Sequence, residues 1–239
     1  MKLSTLLIAL TLLCGFPASA QRSEGWLPLE EWPAGEILSV EEIAQQGIEA
    51  FFVAEPLSDP LFGRMWSLSF KADCTVPREE LRYLKVLHCN QSGETLRGEL
   101  VCHASLAEDL LAIFRQLYEA RYPIERMVLV DAYGADDGRS MADNNSSAFN
   151  FRRMVGSSKL SKHSLGRAVD INPRYNPYVK KVGDRLRVEP PEATPYVDRS
   201  KKFPYKITAD DLCCRLFKAY GFTWGGDWHS LKDYQHFER

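Results

Sequence analysis

The 239-residue sequence has neither an excess of basic charge nor a long apolar run. Thirty Lys and Arg residues face 32 Asp and Glu residues, for a formal charge of −2, so the composition argues against a nucleic-acid partner. The apolar run Leu6–Leu13 is too short to span a membrane. Because 45% of the residues are hydrophobic, the chain is not disordered either. We predict one compact domain, or one domain with a small extension.

The signature motifs of several enzyme classes are missing as well. The sequence holds no H-E-x-x-H pair, no Gly-rich phosphate loop and no G-x-S-x-G nucleophile elbow, which argues against the enzymes that depend on them. Histidine is scarce: His88, His103, His163, His229 and His236. Any histidine chemistry therefore has to come from these five.

The first twenty residues have the pattern of a secretory signal peptide. Lys2 supplies the positive start, Leu6–Leu13 the apolar stretch, and Ala18–Ala20 an A-x-A site, so we predict cleavage after Ala20. A bulky residue precedes Cys14, which argues against a lipoprotein signal. We expect export to the periplasm, or secretion where the host lacks an outer membrane.

Export makes the remaining cysteines disulfide candidates before metal ligands. They are Cys74, Cys89, Cys102, Cys213 and Cys214. Since five is odd, at least one would be free or would pair between chains. Cys89 and Cys102 flank a predicted hairpin and could face each other, but the connectivity stays open. Their neighbours His88 and His103 point to the opposite faces of their strands, so we reject a second metal site there.

The mature chain divides into an N-terminal arm, residues 21–60, and a domain, residues 61–239. The arm carries a helical pattern around Val40–Gln46. A hairpin is predicted from Leu81–Cys89 and Leu100–His103, because these runs flank a Ser-Gly turn. An amphipathic helix should follow, from Leu106 to Tyr118.

The second half of the domain mixes short strands, a helix and a long insertion. Strands are predicted at Met127–Val130 and Ala168–Ile171, and residues 173–205, with six prolines, have the composition of an insertion loop. Residues 208–211 resemble a capping box that opens a helix ending at Gly221. Without a regular βαβ alternation, we predict the α+β class.

Two clusters combine a histidine with a carboxylate. In the first, Asp170 follows His163 by seven residues, and a loop that folds back at Gly166 would bring them together. In the second, Asp233 precedes His236 by three residues. A helical turn would place this pair on one face, whereas an extended segment would point them to opposite faces; both readings stay open.

These residue types suit a hydrolytic zinc site. Such a site needs three protein ligands and an open position, with a carboxylate nearby to take a proton. His163, Asp170 and His236 can supply the ligands, which leaves Asp233 as the base. Taken alone, this grouping is only moderately specific, because any two histidines and two aspartates can be grouped afterwards.

Complete motifs sharpen the prediction. S-x-H-x-x-G-x-A-x-D, residues 161–170, and G-G-x-W-x-x-x-x-D-x-x-H-F-E, residues 225–238, resemble those of the M15 family of zinc peptidases, which includes D-alanyl-D-alanine carboxypeptidases and L-alanyl-D-glutamate endopeptidases. The match is closest to the endopeptidase-like subfamily, type C of this family, in which the base is Asp. The resemblance implies one Zn²⁺ held by His163, Asp170 and His236, with Asp233 as general base.

The resemblance also implies a fold and an activity. The fold would be Hedgehog/DD-peptidase-like, with a small, mostly antiparallel sheet and flanking helices. The activity would be hydrolysis of peptide bonds in peptidoglycan stem peptides by a zinc-activated water, as a carboxypeptidase or an endopeptidase. The alternative is a non-catalytic, metal-containing cell-wall-binding module of the same fold. The intact Asp233 favours the enzyme, while the motifs leave the bond cut and the oligomeric state open.

One element departs from the family pattern. Many relatives carry an Arg after a Tyr, which holds the substrate carboxylate and the oxyanion, but here Gly134 follows Tyr133. Arg152 and Arg153 are the candidate replacements, and we favour Arg152 as the catalytic one.

Two roles are possible for each of three further residues. Trp224 and Trp228 flank the glycine pair and either line a peptide groove or pack as buried aromatics. Ser161 either binds the substrate or orients His163.

Overall fold

The computed structural model describes residues 32–153 and 159–239. The predicted signal peptide lies outside the described residues. The strands are β1 (Ile37–Leu38), β2 (Val53–Pro56), β3 (Leu81–Cys89), β4 (Thr95–His103), β5 (Ala168–Asp170), β6 (Tyr178–Val182), β7 (Arg185–Glu189), β8 (Thr223–Trp224), β9 (Lys232–Asp233) and β10 (His236–Glu238). The helices are α1 (Val40–Gln46), α2 (Asp59–Met65), α3 (Ala107–Glu119), α4 (Asp137–Ala142) and α5 (Leu212–Ala219).

The largest sheet is antiparallel, in the order β1-β4-β3-β2, and is built around the predicted hairpin. Successive residues of β3 and β4 point to opposite faces, and both faces are buried. Leu84, Val86 and Leu100 pack in one core with the apolar stripe of α3. Tyr83 and Val101 face a second core, which is formed with the preceding part of the chain. The predictions of the hairpin and of the helix after it are confirmed.

Residues of the predicted arm take part in this sheet. β1 pairs with β4 at one edge and β2 pairs with β3 at the other, while Trp32 and Phe51 are buried in the second core. The predicted helix α1 is present because Ser39 and Glu42 form a reciprocal capping box at its start. The described part of the arm therefore contributes both edge strands of the main sheet. The boundary between arm and domain at residue 60 stays a prediction.

The predicted strand at Met127–Val130 is wrong, although most of the segment is buried. The Asn145 side chain takes the place of a neighbouring strand. Its amide oxygen accepts the Val128 N–H at 2.8 Å, and its amide nitrogen donates to the Val128 carbonyl at 2.9 Å. A side chain thus satisfies the buried backbone groups that a sheet would otherwise pair.

The expected disulfides are not present, since all five described cysteines are free. The hairpin register excludes the bridge between Cys89 and Cys102. Cys89 lies opposite Thr95 and Cys102 lies opposite Arg82, so the two thiols are near opposite ends of the ladder. A disulfide requires Cα atoms within about 7 Å, and a run of seven strand residues is about three times as long.

The insertion at residues 173–205 is not only a loop, which corrects the prediction. It contains the β6–β7 hairpin, and β6 pairs on its other side with β9, giving the sheet order β7-β6-β9. Arg199 donates to the carbonyls of Tyr175, near the start of the insertion, and Ile207, just after its end, each at 2.8 Å. Its guanidinium also lies 4.4 Å from the ring centre of Tyr234, the residue after β9.

The helix predicted after residues 208–211 is α5, but Asp211 alone caps it. The Asp211 carboxylate accepts the Cys213 N–H at 2.8 Å, so the helix begins at Leu212 rather than after a Thr208 capping box. Overall, the described chain is mixed α and β with small antiparallel sheets, as the α+β prediction requires. In residues 32–153 and 159–239, no helix is long and apolar enough to cross a membrane.

Candidate metal centre

A third antiparallel sheet, in the order β5-β10-β8, carries two of the predicted ligands. Asp170 at the end of β5 lies directly opposite His236 at the start of β10. Side chains at directly opposed positions of an antiparallel pair share a face. The Nδ1 atom of His236 accordingly lies 3.0 Å from Oδ1 of Asp170.

A short 3-10 turn, Lys162–Leu165, presents the third predicted ligand, His163. The Ser161 hydroxyl starts the turn by accepting the His163 N–H at 3.2 Å, a contact that suits the orienting role, while substrate binding by Ser161 stays a prediction. Gly166 ends the turn with φ +64, and a Cβ at this position would lie 2.6 Å from the backbone nitrogen of His103. The motif glycine is thus required both by the left-handed backbone and by close packing.

The three side chains converge on one point. Nε2 of His163 lies 3.1 Å from Oδ2 of Asp170 and 3.2 Å from Nδ1 of His236. The ligand atoms all lie within 4.8 Å of one another, and all three residues are buried. The structure therefore brings together the histidines and the aspartate that the sequence nominated.

Hydrogen bonds behind the imidazoles determine which nitrogen of each ring faces this point. Nδ1 of His163 lies 2.6 Å from the Ala148 carbonyl oxygen, which can only accept, so Nδ1 carries the hydrogen and Nε2 keeps its lone pair. Nε2 of His236 lies 3.1 Å from a carboxylate oxygen of Glu238, so the neutral ring carries its hydrogen on Nε2 and its lone pair on Nδ1. Such outer partners orient the histidines of metal sites.

The donor set fits a zinc ion. In their neutral tautomers the two imidazoles turn lone pairs toward the Asp170 carboxylate, which is unfavourable unless a metal ion or a proton lies between them. Nitrogen and carboxylate oxygen donors, three in number and with room for a fourth position, are typical of catalytic zinc sites. Buried donors without a counter-charge would otherwise have to take up a proton.

The pKa shifts of His236 and Asp170 also indicate that the cluster favours positive charge. Burial lowers the pKa of His236, but hydrogen bonds to Asp170 and Glu238 outweigh it and raise the pKa to about 10. Burial raises the pKa of Asp170, yet His163 and His236 overcome this and hold it well below its usual range. The pocket thus stabilises a cation at its centre.

Asp233, the predicted base, is a buried carboxyl beside this cluster. Burial raises its pKa to about 7, with a smaller opposing influence from His236. Its Oδ1 atom has no hydrogen-bond partner among the described residues. A carboxyl with a pKa near neutrality and an unoccupied oxygen is suited to accept a proton.

The chain between Asp233 and His236 forms neither a helical turn nor one continuous extended segment, the two alternatives considered for the sequence. Asp233 ends β9 in one sheet, and His236 begins β10 in another. The two residues in between carry the chain from one sheet to the other. The pair therefore approaches the centre from two sheets rather than from one helical turn.

Gly225 explains why Asp233 can approach the cluster. A Cβ at Gly225 would lie 2.5 Å from the Asp233 carbonyl oxygen and 2.8 Å from the Asp233 Cβ. Both distances are below van der Waals contact, so only glycine lets β9 lie against this turn. The neighbouring Gly226 packs against the Trp224 ring in the same way.

Gly225→Ala is expected to displace Asp233 while leaving the three other side chains in place. Overpacking of this kind costs about 1–3 kcal/mol of stability, and displacement of a catalytic group by about 1 Å can cost about 100-fold in rate. Thermal melts, zinc titration and peptide turnover check this. Gly63→Ala is the matched control, because a Cβ there meets nothing within 4 Å. Unchanged turnover in the Gly225 variant would contradict the packing argument.

The two tryptophans occupy different environments. The Trp228 ring centre lies 5.4 Å from that of His236, and the half-buried side chain borders the cluster. Trp224 is buried in the main core, where its indole N–H donates to the Tyr234 carbonyl at 2.9 Å. Trp228 therefore lies at the border of the cluster and Trp224 lies in the core behind it, and a part in peptide binding stays a prediction for both.

The candidate arginines lie beside the segment that leads to the cluster. The Arg152 backbone N–H donates to the Ser164 hydroxyl at 2.8 Å, and its guanidinium forms an ion pair with Asp137 of α4. Arg153 is exposed, and its backbone forms an isolated antiparallel β-bridge with Leu160. The role of either residue in substrate binding stays a prediction.

Sequence reasoning missed Glu238 as a member of this site. Glu238 is the last residue of the second motif, and no role was predicted for it. It follows His236 by two positions. Since residues two apart on a strand share a face, a reach from Glu238 to His236 could have been inferred. The hydrogen bond to His236 is also the largest cause that lowers the pKa of Glu238.

Glu238→Ala is expected to weaken zinc binding about 10–100-fold, as for other partners of metal-bound histidines. Glu238→Gln should recover part of the loss, because its amide oxygen can still accept from Nε2 of His236. Competition with a chromophoric chelator measures both affinities. Glu108→Ala removes an exposed acid and should change nothing; an equal loss there would contradict the assignment.

Comparison with known proteins agrees with this site. Residues 155–239 match the family model described as D-alanyl-D-alanine carboxypeptidase. This region contains His163, Asp170, Asp233 and His236, so the finding supports an M15 family peptidase and confirms the resemblance for this part of the chain. No curated protein and no solved structure matches the chain.

Proposed function

We propose that this protein is an exported zinc peptidase that hydrolyses peptide bonds in peptidoglycan stem peptides. One observation carries the proposal: two histidine nitrogens and a carboxylate converge beside Asp233, whose buried Oδ1 atom has no hydrogen-bond partner among the described residues. Its setting supports it, because these residues lie in the region that matches D-alanyl-D-alanine carboxypeptidases. A Hedgehog/DD-peptidase-like fold and one Zn²⁺ held by His163, Asp170 and His236 belong to the same proposal.

The proposed chemistry assigns a separate task to each group. When bound, zinc would polarise the scissile carbonyl and lower the pKa of water. Asp233 takes the proton from the attacking water through its free carboxylate oxygen and delivers it to the leaving amine. Ala148 and Glu238 hold the two imidazoles in their tautomers, so neither ring has to reorient during turnover.

Binding of the peptide would use groups at the border of the cluster. Trp228 offers an apolar surface beside His236. Arg152, the proposed partner of the substrate carboxylate or of the oxyanion, is about one-third exposed, with 32% of its side chain accessible. Its ion pair with Asp137 would then orient the guanidinium rather than neutralise it fully, because an arginine has five donors.

Export rests on the signal-peptide pattern of residues 1–20. We place the mature protein in the periplasm, or outside the cell where no outer membrane exists. A peptidoglycan substrate is accessible in either compartment.

Digestion of defined muropeptides, followed by mass spectrometry with and without a zinc chelator, tests the proposal. Loss of a single terminal D-Ala would identify a carboxypeptidase, and an internal cut would identify an endopeptidase and its bond. Both products should disappear with the chelator and return with added zinc. Tight binding to cell-wall sacculi without any released fragment would instead support the non-catalytic binding module.

A further inference from the structure

The β6–β7 hairpin concentrates positive charge next to the candidate site. Between residues 178 and 189 there are four basic and two acidic residues, in a chain whose formal charge is −2. The hairpin extends the sheet that contains Asp233, because β6 pairs directly with β9. Its charges are thus attached to the strand that carries the proposed base.

The strand register puts three of these cations on the same face as Asp233. Tyr178 lies opposite Asp233, and two residues along the strand Lys180 lies opposite Arg187. Arg185, two residues from Arg187, shares its face, because alternate residues of a strand point the same way. Lys180, Arg185 and Arg187 form what we call the cationic face.

Contacts of the individual side chains agree with this arrangement. The Arg187 guanidinium carbon lies 6.0 Å from the ring centre of Tyr178, and its Nε donates to the Glu189 carboxylate at 2.8 Å. Lys180 and Arg185 are exposed, and neither has an ion-pair partner within the described parts of the chain. Glu189 shares the face of Arg187 and lies directly opposite Tyr178, and it already pairs with Arg187. Lys180 and Arg185 are therefore the cations of this face that a bound anion can neutralise.

The opposite face of the hairpin has a different character. Leu186 and Val188 lie there and line a cavity of about 670 Å³ together with Pro191 and Thr194 of the following turn. Lys181, directly opposite Leu186, is the exposed cation of this second face. The cationic face is consequently the one that continues from Asp233.

We propose that the cationic face binds the carboxylates of an extended acidic peptide whose scissile bond lies at the candidate metal centre. The inference rests on the proposed function. It restricts the proposed substrates of the peptidase to stem peptides that keep their free carboxylates. Strand residues advance about 3.3 Å each, so Lys180 lies about two residues beyond Tyr178. A carboxylate about two residues from the scissile bond of an extended peptide would therefore meet Lys180, with Arg185 further along the same face.

Equilibrium binding of two synthetic peptides tests the inference. One is L-Ala-γ-D-Glu-L-Lys-D-Ala-D-Ala, and the other carries D-isoglutamine in place of D-Glu, which removes one carboxylate. Calorimetry on the full chain with a chelator measures affinity without hydrolysis, and steady-state kinetics on the zinc-loaded chain measures KM. We expect the acidic peptide to bind about threefold to tenfold more tightly, and salt to reduce the difference.

The double variant Lys180→Gln/Arg185→Gln should lose this preference, with each removed cation costing about threefold in affinity for the acidic peptide. Lys181→Gln is the matched control, since it removes an exposed cation one residue away on the opposite face. Loss of the preference in the double variant alone supports the inference. Equal effects of the two sets of changes, or no preference in the wild-type chain, would overturn it.

The test also separates this inference from the proposed function. Chelator-sensitive cleavage without any preference for the acidic peptide would overturn the cationic face and leave the peptidase intact. Neither binding nor cleavage of either peptide would overturn both. Tighter binding to a DNA oligonucleotide than to the acidic peptide, lost in the double variant, would assign the face to a different polyanion and overturn the peptide assignment.

Discussion

Asp233→Ala is expected to lower kcat by about 1,000-fold, within the range of general-base catalysis, while zinc stays bound. The reason is that Asp233 is separate from the three converging donors, yet it holds the buried carboxylate oxygen with no partner among the described residues. Turnover of a defined muropeptide and metal content measured on the same sample check both parts.

Asp233→Asn sharpens this prediction, because the amide keeps the shape of the carboxyl but cannot take up the proton. Burial raises the pKa of the Asp233 carboxyl, which means that its charged form is disfavoured in the fold. Neither variant should therefore melt at a lower temperature than the wild type at neutral pH. Asp184→Ala, at an exposed acid of the β6–β7 turn, is the control and should keep full turnover. A zinc-bound Asp233→Ala protein with wild-type turnover would disprove the base assignment.

His163→Ala is expected to lose both zinc and turnover. It removes one of the three donors that converge in the described part of the chain and leaves His236 and Asp170 to hold the ion. Since loss of an outer partner alone weakens metal binding about 10–100-fold, loss of a direct ligand should cost at least about 100-fold. Zinc affinity from chelator competition and turnover on the same muropeptide measure the effect.

His229→Ala is the matched control for that variant. His229 is exposed and lies close to the cluster in sequence, so a general effect of removing a histidine would appear there too. The same zinc affinity in His163→Ala as in His229→Ala would refute the ligand assignment. The contrast with Asp233→Ala is the sharper result, because one variant should keep the metal without turnover and the other should keep neither.

Much of the fold follows from local patterns. The hairpin and α3 have regular apolar periodicity, and α1 has a complete capping box, so each was predictable within a few residues. The prediction of a strand at Met127–Val130 failed because an apolar run indicates that a segment is buried but not which group pairs with its backbone. Here the side chain of Asn145, 17 residues after Val128, supplies the hydrogen bonds. The disulfides failed for a similar reason, since the register of β3 and β4 separates Cys89 from Cys102.

By itself, the sequence determined which residues form the candidate site, because the two motifs name His163, Asp170, Asp233 and His236 through residue type and spacing. Only the tertiary structure decided how they meet. Asp170 and His236 become neighbours through the pairing of β5 with β10, and His163 reaches them through a turn that needs Gly166. Strand pairing and close packing depend on contacts between distant parts of the chain, which spacing along the chain does not encode.

The orientation of the donors and the cationic face also came from tertiary contacts. The tautomers follow from Ala148 and Glu238, and the direction of Lys180 follows from its register with Asp233 through β6 and β9. A strand shifted by one residue would turn Lys180 to the other face and present Lys181 instead. The candidate site could therefore be predicted from the residues, whereas the direction of the proposed cationic face depends on how the sheets pair.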